Sequence, residues 1–206
     1  MGLYQPLHWL LAQLLPTTTS RVQPHRLSIR GSQIFLPGSD EPLVLRGVDL
    51  MFKYGTAGMD HVLAQDRELQ ALVPGISLVR LIINHWDDDV TTQTGDDCYD
   101  PAAPDYLRPA CLAMFDEIIN WATEELDGSW VIITARSALA AGDAGPGRTI
   151  FNNATLHQHW VAMWGALARR YAKVDRIGGF EVMSEPRTYA PAAVVHTAQQ
   201  EACRAV

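Results

Sequence analysis

GGFEVMSEP, residues Gly178 to Pro186, has the pattern of a short buried strand, with Phe180, Val182 and Met183 as its apolar positions. It delivers one carboxylate, Glu185, to the strand's carboxyl end. Pro186 follows at once; it lacks an N–H and fixes its own φ, so regular sheet pairing stops there. A strand end that holds a carboxylate above a buried sheet is a common way for an α/β fold to offer an acid or base to a ligand. A surface glutamate in a turn has the same local signature, so the flanking elements must decide between the two.

Outward from this stretch the pattern repeats. Ala154 to Tyr171 reads as a helix with Trp160, Met163, Trp164 and Leu167 on one face, and Trp130 to Ala135 (WVIITA) as a buried strand. Leu107 to Leu126 is an amphipathic helix, and Ile76 to Trp86 has the apolar core of a strand buried on both faces. Met59 to Val73 is a helix ended by Pro74-Gly75, and Leu43 to Leu50 a strand whose end carries Asp49. Leu27 to Ile29 and Ile34 to Leu36 form a small hairpin in front, and Ala192 to Val206 is a last helix. Thr91 to Asp105 and the Gly-rich Ala138 to Asn152 read as loops.

Strand then helix, four times over, predicts a parallel sheet covered by helices. No G-x-G-x-x-G and no Walker-type loop follows any strand, which argues against a nucleotide site. The expected fold class is therefore α/β, a (β/α)₈ barrel of which about the first four β/α units are present, preceded by a β-hairpin. A whole barrel takes roughly 250 residues, so these units make up about half. The expected organisation is an N-terminal segment, residues 1–24, followed by a partial barrel domain, residues 25–206.

Composition narrows the function. At 206 residues with 48% hydrophobic content the chain has enough apolar surface for one real core. A formal charge of −7 without any basic run argues against a nucleic-acid partner, and no apolar run approaches the roughly 20 residues of a membrane span. Cys98, Cys111 and Cys203 lack metal-ligand spacing; Cys98 and Cys111 either pair in a secreted protein or remain buried thiols. Neither a metal nor another cofactor is expected. Leu7 to Leu15 resembles a signal-peptide core but lacks a preceding basic residue, leaving an atypical signal or a loose helix. Together with the glycosylation sequon at Asn153 it favours an extracellular location.

In a barrel the active site lies at the carboxyl ends of the strands. Those positions hold Asp49, then Asn84, His85 and Trp86, then Arg136, then Ser184 and Glu185. Carboxylate, imidazole, amide and a large aromatic suit a neutral polyhydroxylated ligand such as a sugar. Taken together, LRGVDL (residues 45–50), GISLVRLIINHW (75–86), WVIITARS (130–137), FNNATLHQHWVAMWGALARRY (151–171) and GGFEVMSEP resemble the first half of a family 5 glycoside hydrolase, the cellulase family. That family typically shows "LRGVN", "VRLP", "VILDxH", a helix ending "LAxRY" and a strand ending Asn-Glu-Pro, and the resemblance covers roughly residues 27 to 190.

By this resemblance Glu185 is the general acid/base, and Arg80 matches the second-strand arginine that supports the nucleophile. Ser184 stands where the family usually has an Asn that bonds the substrate 2-hydroxyl, Arg136 where a substrate-binding His is usual, and Asp49 where an Asn is usual. The implied activity is retaining hydrolysis of a β-linked polysaccharide, with a second carboxylate about 5 Å from the first as nucleophile. The family's nucleophile is a Glu ending the seventh strand, which these four units do not contain. Asp87, Asp88, Asp89 and Asp143 have no matching pattern and read as loop residues. A second reading is a catalytically inactive half-barrel that binds carbohydrate or a partner, or self-associates through exposed sheet edges.

Several of these residues also have plainer readings. Arg80 lies mid-strand, where a charge needs a partner, so a structural ion pair is as natural as a site role. His85 fits a substrate contact or a satisfied core histidine. His157 and His159, two apart on a helix, face different ways and suit packing; Trp160 and Trp164 suit the core.

Overall fold

The computed structural model describes residues 27–51, 69, 72–84, 99–126, 128–136, 149–184 and 190–206. Two strands come first, β1 (Ser28–Arg30) and β2 (Gln33–Phe35), paired antiparallel with Ile29 opposite Ile34. Gly31 turns the hairpin at φ +61°, a left-handed conformation that a side chain would strain. Four strands follow: β3 (Gly47–Met51), β4 (Leu78–Asn84), β5 (Trp130–Arg136) and β6 (Ile177–Ser184). Among them lie α1 (Pro109–Asn120), α2 (Ala154–Tyr171) and, last, α3 (Ala192–Ala205).

The sheet order is β3-β4-β5-β6, all parallel, so each strand joins beside its predecessor. A doubly wound nucleotide-binding sheet reverses its strand order at a switch point. This sheet does not, and its helices pack on one face: this is barrel winding. Val79, Leu81, Val131 and Ile133, all at most 1% exposed, share one core with Met114, Phe115 and Ile118 of α1 and Met163, Trp164 and Leu167 of α2. Phe180 joins it by setting its ring edge-on to Trp164, at 6.2 Å between centroids. Trp160 and Trp164 are thus core residues.

Close approach between strands dictates one glycine. A Cβ at Gly47 would overlap the Leu78 carbonyl, so only glycine lets β3 start against β4. The hairpin lies at the amino end of the sheet, where Leu27 comes 3.6 Å from the place a Cβ on Gly178 would occupy. The opposite, carboxyl end is left to the residues that follow the strands.

The elements match the sequence expectation with three differences. Residues Leu43 to Arg46 do not join β3, whose ladder begins at Gly47 against Leu78. The regular turns of α1 stop at Asn120 and widen into a π-type turn over Trp121–Glu125. There the Thr123 hydroxyl donates back to the Ile119 carbonyl, and Leu126 N–H reaches the Trp121 carbonyl, five residues back. The Thr91–Asp105 segment ends in a tight turn, Pro104–Tyr106, closed by a bridge between Tyr99 and Leu107. Of the Met59–Val73 helix Leu69, Leu72 and Val73 are described; the first two are helical and the Val73 N–H donates to the Leu69 carbonyl at 2.8 Å, while the rest of it, and the N-terminal segment 1–24, lie outside the described residues.

Cys111 on α1 is disulfide-bonded and Cys203 is free; Cys98 lies outside the described residues. The histidines of α2 pack as their spacing predicts. His157 faces Glu201 of α3 at 2.5 Å, while His159 stacks on Tyr106 at 3.8 Å and meets the Tyr99 hydroxyl at 2.8 Å.

Candidate active site at the strand ends

The face of the sheet turned away from the helices carries the charged groups. Arg80 is its centre. Its Nε donates to Glu181 Oε2 at 2.7 Å, and its Nη2 lies at the same distance from that oxygen. The Nη1 group donates to Asp49 Oδ2 at 3.3 Å, and Nη2 to the Ser184 hydroxyl at 2.9 Å. The sequence requirement that a mid-strand arginine find a partner is met by two carboxylates and a hydroxyl.

The register explains how one side chain reaches so far. Asp49 is the direct β3 neighbour of Arg80, whereas Glu181 and Ser184 lie on β6, beyond β5. In a flat sheet β3 and β6 would be about 14 Å apart. A single guanidinium bridging both therefore requires a sheet curled around this face, as in a barrel wall. Along β6, Glu181 and Ser184 are three residues apart and would normally point to opposite faces. Between Thr134 and Arg136 of β5 the pairing advances two residues while β6 advances three, from Glu181 to Ser184. This bulge turns both side chains toward Arg80.

The environment of the cluster is half-wet. The Arg80 side chain is 25% exposed, Glu181 38% and Asp49 56%, while Ser184 is buried. The hydrogen bond to Glu181 is the main reason the Arg80 pKa is held above the ordinary arginine value; burial opposes it, and the charges of Glu181 and Asp49 add to it. Thr134, in register beside Glu181, is fully buried, and its hydroxyl has no hydrogen-bond partner among the described residues.

Of the candidate site residues, Asp49, Arg80 and Ser184 are brought together. Arg136 ends β5 in register with Ser184, which places its backbone at the same level. Glu185 is the residue directly after Ser184; it, His85 and Trp86 lie outside the described residues, as do Asp87, Asp88, Asp89 and Asp143. One participant was not anticipated: Glu181. Its signal was present, an acidic residue inside an apolar strand, two strands from an arginine in the same situation. Among the described residues no cluster of three or more potential metal ligands occurs, and no helix is long and apolar enough to cross a membrane.

No family model matches the chain, and no curated protein matches it. Solved structures do. A family 5 xyloglucan-specific endo-β-1,4-glucanase from a metagenomic library, in complex with cellotriose, is 18% identical, with a TM-score of 0.51 over 78% of this chain and 49% of its own. An endogalactoceramidase is 15% identical, with a TM-score of 0.61 over 87% of this chain and 49% of its own. An endoglucanase from the hyperthermophile Thermotoga maritima is 18% identical, with a TM-score of 0.51 over 78% of this chain and 47% of its own. The chain spans about half the length of the structures it matches. Its parallel sheet, added strand by strand after a hairpin, has the fold of about half of a (β/α)₈ barrel of the kind found in family 5 glycoside hydrolases.

Proposed function

We propose that this chain is the N-terminal half of a glycosidase that hydrolyses β-linked polysaccharides with retention, and that Glu185 is its general acid/base. The observation that supports this most is the Arg80 cluster, a charged group on the inner face of a barrel wall that ends one residue before Glu185. In this reading Glu185 protonates the leaving glycosidic oxygen while a nucleophilic carboxylate about 5 Å away attacks the anomeric carbon. Glu185 then takes a proton from the incoming water, and the covalent intermediate is released. The nucleophile is a Glu on a later strand, outside the 206 residues. No cofactor takes part.

Substrate contacts fall to His85, Trp86 and Arg136 at the strand ends, with Trp86 covering a sugar ring. Ser184 and Asp49 hold the floor beneath them. The buried Ser184 oxygen is engaged by Arg80, so its role on the substrate 2-hydroxyl is narrower than that of the amide usual at this position. The cellotriose bound to one structural neighbour favours a β-1,4-linked glucan as the substrate class. The disulfide at Cys111 favours an oxidising, extracellular setting.

A second reading has one observation in its favour. Among the described strands, β3 and β6 are each paired on one side only. A half-barrel acting alone would bind carbohydrate without turnover, or self-associate along these edges. The test is the native full-length product with Glu185→Gln. Loss of nearly all β-glucanase activity with folding intact supports the enzyme; unchanged turnover excludes Glu185 as acid/base. Glucan binding with no hydrolysis in the wild type selects the second reading.

A further inference from the structure

We infer that Glu181 is a positioning residue for the proposed reaction: through Arg80 it fixes the geometry and the local charge beside Glu185. The inference rests on the reading of Glu185 as acid/base. A carboxylate in the middle of an apolar strand is costly unless it is paired and hydrogen-bonded, and Glu181 is both, through one oxygen on two nitrogens of Arg80. With Nε and one edge of the guanidinium so held, the fork can turn only slightly. Its remaining donors then fall on Asp49 and Ser184. Ser184 is the residue to which Glu185 is joined, so a guanidinium fixed by Glu181 also fixes the strand end from which Glu185 departs. The bulge in β6 points the same way, since without it Glu181 and Ser184 would not face one guanidinium.

The charges make this testable. Asp49 from β3, Arg80 from β4 and Glu181 from β6 sum to −1 (−1, +1, −1), and the described side chains of β5, Trp130 to Thr134, carry none. Arg136 follows at the end of β5. A general acid needs a raised pKa, and a nearby anion raises it. Neutralising Glu181 leaves the Arg80 charge opposed by Asp49 alone and lowers the pKa of Glu185. At an effective dielectric of about 20 to 40, one charge moves a pKa about 13 Å away by about 0.5 to 1 unit.

The experiment is the pH profile of kcat/KM and kcat for the full-length product on a soluble β-glucan, comparing wild type with Glu181→Gln, Glu181→Asp and Glu185→Gln. Glu181→Gln keeps size and an acceptor but not charge. Its alkaline limb should fall by about 0.5 to 1 pH unit, and kcat should drop more than KM rises. Glu181→Asp keeps the charge on a shorter stem; its limb should stay while kcat falls at least tenfold. An unmoved limb in a folded Glu181→Gln overturns the inference. So does an equal displacement of the limb in both variants. If Glu181→Gln does not fold, wild-type kcat in Glu181→Asp overturns it. Glu185→Gln separates the levels: full activity there removes the underlying reading, whereas inactivity there with an unmoved Glu181→Gln limb removes only the role of Glu181.

Discussion

Two carboxylates share the Arg80 guanidinium unequally, and their difference can be measured as stability without any substrate. The Glu181 contact is short, 2.7 Å from two nitrogens, on groups 25% and 38% exposed; the Asp49 contact is 3.3 Å from one nitrogen, on a carboxylate 56% exposed. Opposite charges about 4 Å apart attract by about 4 kcal/mol at an effective dielectric of 20 and about 1 kcal/mol in bulk water. Discounted for partial exposure, the Arg80–Glu181 coupling should be about 2 kcal/mol, while Arg80–Asp49 should resemble a surface pair at about 0.5 kcal/mol. Urea unfolding of Arg80→Met, Glu181→Gln, Asp49→Asn and the two double variants that include Arg80→Met gives both couplings as double-mutant cycles. Arg80→Met should be the most damaging single change, since it strands both carboxylates on one face of the sheet. A Glu181 coupling no larger than that of Asp49 would refute the assignment of Glu181 as the principal partner.

Two further outcomes follow from other parts of the fold. Gly47→Ala puts a methyl group into the Leu78 carbonyl, so β3 must move off β4; a loss of about 2 to 4 kcal/mol in urea unfolding is expected, and a loss under about 0.5 kcal/mol would contradict that packing. Asp116 on α1 accepts from Arg170 of α2 and from the Tyr171 hydroxyl, chiefly the Arg170 bonds holding its carboxyl below the usual range. Its folded pKa is depressed, so its contribution is present above the unfolded value of about 3.9 and is lost as pH falls through the folded one. Because both partners are over 40% exposed, Asp116→Asn should cost only about 1 kcal/mol at pH 7 and nothing once the pH is below the folded value; a cost that persists in acid would show that packing, not the pair, is responsible.

The strands and helices were legible because their signals are local. WVIITA is too apolar to face water on either side, and the Trp160, Met163, Trp164, Leu167 spacing fits only a helix with one buried face. Asn153 accepts from the N–H groups of Thr155 and Leu156, so α2 begins where its capping residue stands. The departures come from interactions between residues distant in sequence. The overlap of Gly47 with Leu78 sets the start of β3, 31 residues before its partner, and no propensity encodes that. The turn at Pro104–Tyr106 places Asp105 and Tyr106 at φ +57° and +60°, a left-handed pair without glycine that turn chemistry does not announce. Tyr106 is held there in part by its stack on His159, 53 residues further along.

At the site the same contrast has a chemical consequence. Asp49 and Ser184 could be named from their place at the strand ends, and Arg80 from the resemblance and as a charge inside a strand that needs a partner. Their mutual arrangement could not, since it depends on a bulge whose extra residue is visible only in the pairing of β5 with β6. Strict alternation would put Phe180, Val182 and Ser184 together on the helix side and leave Glu181 alone with Arg80. The bulge breaks that parity: Phe180 still packs on Trp164, while Ser184 crosses to the Arg80 face. One inserted residue thus brings Ser184 onto the face that Glu181 already shares with Arg80. Ser184 stands at the site end of that switch. Its hydroxyl is short enough to lie beneath the guanidinium and still accept a hydrogen bond.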